Sequence, residues 1–131
     1  MGYELRWEEN GVVKRYLGQV SGEELLAPVL ATEADARFDT LRFVINDFLE
    51  ATGVAFTQAD IDAIAAHDMG AALTNPNIKV AVVATQPEVI DLVQRYMQTS
   101  AQAYPTSIFS TMAEARAWVS TPVAGWSVTR W

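Results

Sequence analysis

LRFVINDFLEATGVAFTQADIDAIAAHDMGAA, residues 41–72, is the stretch whose reading decides the fold. It opens on an apolar run, Leu41, Phe43, Val44 and Ile45, nearly continuous in the way of a central strand covered on both faces. It closes on a helical pattern in which Ile61, Ile64, Ala65, Asp68 and Ala72 share one arc, so Asp68 needs either a partner or a place at the arc's edge. Between the two, Thr57 stands three residues before Asp60. At that spacing a hydroxyl accepts from a helix N–H and the acid reaches back to the cap residue's own N–H. A strand followed by a capped helix is a βα unit. Residues 50–56 read as a seven-residue insertion between them, the most elaborate strand-to-helix crossing in the chain and the first candidate for a binding site.

The same spacing recurs at Ser21/Glu24, Thr85/Glu88 and Thr111/Glu114, each after a strand-like run. Upstream, Tyr3, Leu5 and Trp7 alternate with Glu4, Arg6 and Glu8, and Asn10-Gly11 supplies hairpin-turn residues before a returning strand over 12–20. The first helix runs from Ser21 towards Asp35. Pro28 lies inside it and predicts a kink or a displaced start, because proline cannot donate to the carbonyl of Glu24. Downstream come a turn at Thr74-Asn75-Pro76-Asn77, a buried strand over 79–84, a helix carrying Val89, Leu92, Val93 and Tyr96, a strand over 107–110, and a short helix with Ala115, Trp118 and Val119. This alternation predicts an α/β fold: a mixed, mostly parallel five-stranded sheet with right-handed crossovers, an antiparallel N-terminal edge hairpin and four helices. Residues 1–121 form one domain in this reading, and 122–131 a C-terminal tail.

Half of the 131 residues are hydrophobic, enough for one core. A net charge of -7 without any Lys/Arg cluster argues against nucleic acid. There is no cysteine, hence no thiolate chemistry. Charges at Glu4, Arg6 and Glu8 break any signal-peptide core and no apolar run reaches membrane length, so a cytoplasmic protein without a membrane span is expected. No glycine-rich phosphate cradle and no nucleophile arrangement is visible, and Asp47, Glu50, Asp60 and Asp62 match no metal-binding loop. Neither cofactor, metal nor catalysis is expected.

Three segments carry a family resemblance: Phe38-Asp39-Thr40-Leu41-Arg42-Phe43-Val44-Ile45-Asn46-Asp47, Lys79-Val80-Ala81-Val82-Val83-Ala84, and Phe109 to Trp118 with Met112, Glu114, Ala115 and Ala117. Over about residues 12–120 the chain resembles the SpoIIAA-like group, related to the STAS domains of anti-sigma-factor antagonists and sulfate transporters. That resemblance implies a four-turn β-α superhelix used for protein or ligand binding. Antagonist members carry a phosphorylatable Ser or Thr in an Asp-Ser-Ser-Gly-like segment at the start of the helix after the second long strand. Here the place reads Ala55-Phe56-Thr57-Gln58, and Thr57 is its only hydroxyl.

These readings converge on a non-enzymatic, regulatory protein- or ligand-binding module. Its binding residues are taken to be Asp47, Glu50, Val54, Phe56, Thr57 and Asp60, with Thr57 as a helix cap and as the sole phospho-acceptor candidate. The alternative is a carrier of a small apolar or lipid-like ligand, in a cavity lined by Phe48, Val54, Phe56 and Ile61. An enzyme would need Asp47 and His67 to converge in a cleft. Trp126, Val128 and Trp131 make the tail a candidate homodimer contact, because apolar area of that size left in water marks an interaction site.

Overall fold

The structure, a computed structural model, describes residues 2–121. Strands β1 (Tyr3–Glu8) and β2 (Gly11–Ser21) form the antiparallel hairpin. They are followed by α1 (Gly22–Ala34), a 3-10 turn (Ala36–Thr40), β3 (Phe43–Ala55), α2 (Gln58–Thr74), β4 (Lys79–Val83), α3 (Pro87–Thr99), β5 (Thr106–Phe109) and α4 (Met112–Val119). The strands lie side by side in sequence order, and all pairs after the first are parallel. Crossovers of one hand between successive neighbours put their helices on one face. Accordingly, Leu25 of α1, Ile61 of α2 and Leu92 of α3 share a core with Tyr16 and Val82, while Ala115 and Val119 of α4 pack on Val13, Ile45 and Val83 of the opposite face.

Helix starts follow the cap spacing at three places. Ser21 and Thr57 each form both halves of the capping box, and the Thr111 hydroxyl accepts from the Glu114 N–H. The fourth start is different, since Gln86 and not Thr85 is the cap residue of α3. Pro87 fills the first helical position, where its missing N–H is no loss. The Gln86 side chain is thereby free to turn away, and its amide donates to the carbonyls of Phe48 (3.1 Å) and Ala51 (2.7 Å) on β3. Pro28 neither ends α1 nor displaces its start. It is buried within the helix, and the Thr32 hydroxyl donates to its carbonyl at 2.7 Å.

Residues 50–55 are not an insertion but the far half of β3. This strand pairs with β2 from Gly11↔Phe43 to Ser21↔Ala55, whereas β4 accompanies it only from Phe43↔Lys79 to Asp47↔Val83. Two register shifts, one between Arg15 and Leu17 and one at Gly18, break the two-residue period of the pair. That break, together with Gly53, is what makes the segment look like a loop in sequence. Gly18 sits at φ +65°, a conformation glycine adopts at no steric cost. The hairpin loop also shifts by one residue: Asn10 takes the left-handed conformation (φ 62°) and Gly11 already belongs to β2. Gly11 is small for another reason, since a Cβ there would sit 2.0 Å from the Phe43 ring. The predicted tail and its homodimer role fall at 122–131, outside the described residues.

Candidate functional site

Under the three crossover helices the sheet face is not fully filled. A cavity of about 100 Å³ lies there, floored by Lys14, Val44, Asn46, Val80, Val82 and Thr106 and walled by α1 (Leu25, Val29), α2 (Ile61, Ile64) and α3 (Leu92, Val93, Tyr96). The floor residues are alternate positions on four neighbouring strands, as one face of a pleated sheet requires. Phe38, Ile78 and Tyr104 line it further. The chain around Phe38 is held by Asn75, a buried side chain whose Nδ2 donates to the carbonyls of Phe38 (2.8 Å) and Leu41 (2.9 Å), and whose Oδ1 accepts from the N–H of Asn77 (3.1 Å).

The lining is apolar except for one group of side chains. Lys14 occupies an inward position of β2, between Val12 and Tyr16, and is only 5% exposed. Among the described residues its ammonium has neither a hydrogen bond nor an ion pair. Burial pushes its pKa down, opposed by the charges of Asp68 on α2 and Glu33 on α1. Glu33, half-buried, is pushed up to about 8 by desolvation first, then by its hydrogen bond to Asp68 and by that residue's charge. It therefore holds a proton at neutral pH. Asp68 also accepts from the Tyr96 hydroxyl at 2.5 Å, the partner that its place on an apolar arc demanded. The Tyr104 hydroxyl is buried without a partner among the described residues, and burial raises its pKa. The cavity thus presents two unused donors, the Lys14 ammonium and the Tyr104 O–H, beside a proton-sharing carboxyl pair.

The raised Glu33 has a consequence for stability. Between its unfolded value near 4.5 and about 8 the folded chain binds the proton that the unfolded chain releases, so stability present below pH 4.5 is lost as pH rises through 8. Because Glu33 is half exposed, the loss is discounted for solvent screening to about 1 kcal/mol. Urea titrations at pH 5 and pH 8 should show it, and Glu33→Gln should flatten the difference. Lys14 from β2, Asp68 from α2, and Tyr96 and Tyr104 are the other titratable groups here. Lys14, with its lowered pKa, acts in the opposite sense at the alkaline end. A slope unchanged by Glu33→Gln would refute the assignment.

The residues expected to form the site do not come together. Asp47 and Glu50 lie on the other sheet face, in a shallow charged groove with Arg15, Met112 and Arg116; Glu50 pairs with Arg15, and Asp47 accepts from the N–H of Leu49 at 3.0 Å. Val54 and Phe56 pack, partly buried, against the core beneath α1–α3, with Arg95 over the Phe56 ring at 5.8 Å. The Thr57 hydroxyl accepts from Asp60 N–H (3.2 Å), and Asp60 accepts from Thr57 N–H (2.8 Å). Of the cavity lining expected from sequence, Phe48 and Ile61 are present and Val54 and Phe56 are not. His67 is exposed on α2, across the sheet from Asp47, so these two do not converge. The sequence reading missed Lys14, Glu33, Tyr96 and Tyr104. A lysine at an inward position of an alternating strand was the available signal.

No family model matches the chain, and no curated protein is similar to it. Solved structures do match. The anti-sigma factor antagonist SpoIIAA in its unphosphorylated form superposes with a TM-score of 0.61 at 13% identity, over 90% of this chain and 97% of that one. SpoIIAA in its phosphorylated form, described as a Bacillus cell fate determinant, gives 0.59 at 12% identity over 89% and 98%. An uncharacterised protein of the DUF3478 family from Shewanella loihica, described as having a SpoIIAA-like fold, gives 0.45 at 15% over 89% and 91%. At such identities the likeness to SpoIIAA shows the fold alone: this chain has a SpoIIAA-like fold. Among the described residues no helix is long and apolar enough to cross a membrane.

Proposed function

We propose that this chain is a binding module that holds a small, mostly apolar molecule in the cavity between its sheet and α1–α3. The observation that carries this reading is that the Lys14 side chain, 5% exposed and without a hydrogen bond or ion pair among the described residues, and the buried, unpartnered Tyr104 hydroxyl both line one apolar space. A buried ammonium without a partner is costly, and an oxygen acceptor on a ligand would offset that cost. Size narrows the ligand. An apolar cavity of roughly 150 Å³ takes benzene, so about 100 Å³ suits a molecule of some five or six heavy atoms, too little for a lipid chain. A regulatory role has support of its own. Met69 and Leu73 stand exposed one turn apart on α2, and Met69 follows Asp68 in the chain, so a protein partner seated there would bear on the helix that carries one of the cavity's carboxyls.

Titration with cyclopentanol, followed by amide NMR, tests the cavity. Saturable shifts are expected around Lys14, Ile61 and Val82, and Val82→Phe, which fills the space, should remove them. Absence of the shifts, or their persistence in Val82→Phe, would refute the reading.

A further inference from the structure

The donors facing the cavity also say what the ligand's polar end is. A carboxylate would satisfy Lys14 and Tyr104 but would add a third acid beside Glu33 and Asp68. Those two, holding one proton between them, already offset the single ammonium, and a further buried negative charge would stand unpaired. A neutral oxygen acceptor carries no such penalty. Among neutral acceptors, a carbonyl does more than accept, because a desolvated lysine amine in an apolar pocket is a nucleophile towards carbonyl carbon. Resting on the binding reading above, we propose that the cavity takes a small aldehyde or ketone and that Lys14 Nζ binds its carbonyl carbon as an imine.

The groups present balance the step. Lys14 Nζ first gives its third proton to the Glu33–Asp68 carboxyl pair, and the neutral amine then attacks the carbonyl carbon, forming the C–N bond while the C=O π pair moves to oxygen. That oxygen takes a proton from the Glu33–Asp68 carboxyl pair and becomes the hydroxyl of a carbinolamine, with Tyr104 O–H as a second donor to it. The nitrogen returns a proton to the pair. The C–O bond then breaks, water leaves with a second proton from the pair, and the nitrogen lone pair closes the C=N bond. The sum is ammonium plus carbonyl giving protonated imine plus water, with the pair left holding the one proton it began with and no oxidant or reductant needed. Burial makes the Lys14 amine easier to deprotonate than an exposed one, and the carboxyl pair stabilises the protonated imine.

The chain is favourable for the test, since it contains only two lysines, Lys14 and Lys79. Lys79 is an internal control: its Nζ donates to the Trp118 carbonyl (2.8 Å), to the Thr121 hydroxyl (2.6 Å) and to the Thr121 carbonyl, which leaves no donor free. The full chain would be incubated with cyclopentanone and sodium cyanoborohydride, then digested and mapped by mass spectrometry. One cyclopentyl group on Lys14 is expected, formed at least tenfold faster than on Lys79 or the N-terminal amine. Val82→Phe should suppress it, and Glu33→Gln should slow it severalfold. The fold of each variant would be checked from its amide NMR spectrum. Cyclopentanol binding without a Lys14 adduct, or labelling of Lys14 no faster than of the N-terminal amine, would overturn the imine and leave the binding module standing. Failure of both probes would remove both.

Discussion

Lys14→Met is expected to make the protein more stable, by about 1–3 kcal/mol. A largely buried ammonium without a hydrogen bond loses most of its hydration and gains only the charges of Asp68 and Glu33 in return, whereas a thioether of similar length fills the same space with no charge to desolvate. Replacing buried ion pairs or triads with apolar residues of matching volume is neutral to stabilising, by up to about 4 kcal/mol. For a domain of this size each kcal/mol moves the melting midpoint by about 3–5 °C. Melts should be run near pH 6, where Glu33 keeps its proton and the carboxyl pair is least disturbed by loss of the cation. A Met variant no more stable than the parent would mean that the ammonium's hydrogen bonding is already satisfied inside the cavity, and the case for an acceptor on a ligand would fall with it.

The second large effect is expected at Asn75. Alanine there removes the amide donor from the carbonyls of Phe38 and Leu41, which keep the Leu41 N–H and the Arg42 guanidinium as partners, and takes the side-chain acceptor from the N–H of Asn77. A lost buried hydrogen bond costs about 0.5–1.5 kcal/mol net, and a group left unpaired, here the Asn77 N–H, about 1–3 kcal/mol. A total of about 2–4 kcal/mol is expected for Asn75→Ala by urea unfolding, after allowance for some relaxation. Asn75→Asp separates chemistry from shape. It keeps the size but loses both N–H donors and points oxygen at two carbonyls, so it should be at least as damaging as alanine. An aspartate variant close to the parent in stability would show that Asn75 acts by filling space.

The fold was legible in the sequence because its signals are local. Thr57/Asp60 and Ser21/Glu24 cap helices at the predicted residues, and the alternation at Tyr3, Leu5 and Trp7 marks β1. Each is settled within one turn or one strand. Thr85/Glu88 failed because Pro87 between them takes the first helical position and makes Gln86 the cap. Residues 50–55 failed because a strand that pairs with a bulged partner loses its period, and only the partner shows why. The site was the least legible part. Lys14, Glu33, Asp68 and Tyr96 come from four elements and meet only when α1, α2 and α3 settle on one face of the sheet. Asp68 on its apolar arc announced that a partner was needed; nothing local could say that the partners were a tyrosine from α3 and a glutamate from α1.

Beyond Asp47, β3 runs on without β4 beside it, and a strand margin of that kind is a template onto which a foreign chain can add itself. The Gln86 amide occupies two of the carbonyls such a chain would need, those of Phe48 and Ala51. One side chain, released from capping duty by the proline after it, thus guards the longest strand of the sheet against self-association by β-addition. It does so without adding a charge or a covering helix at the exposed margin.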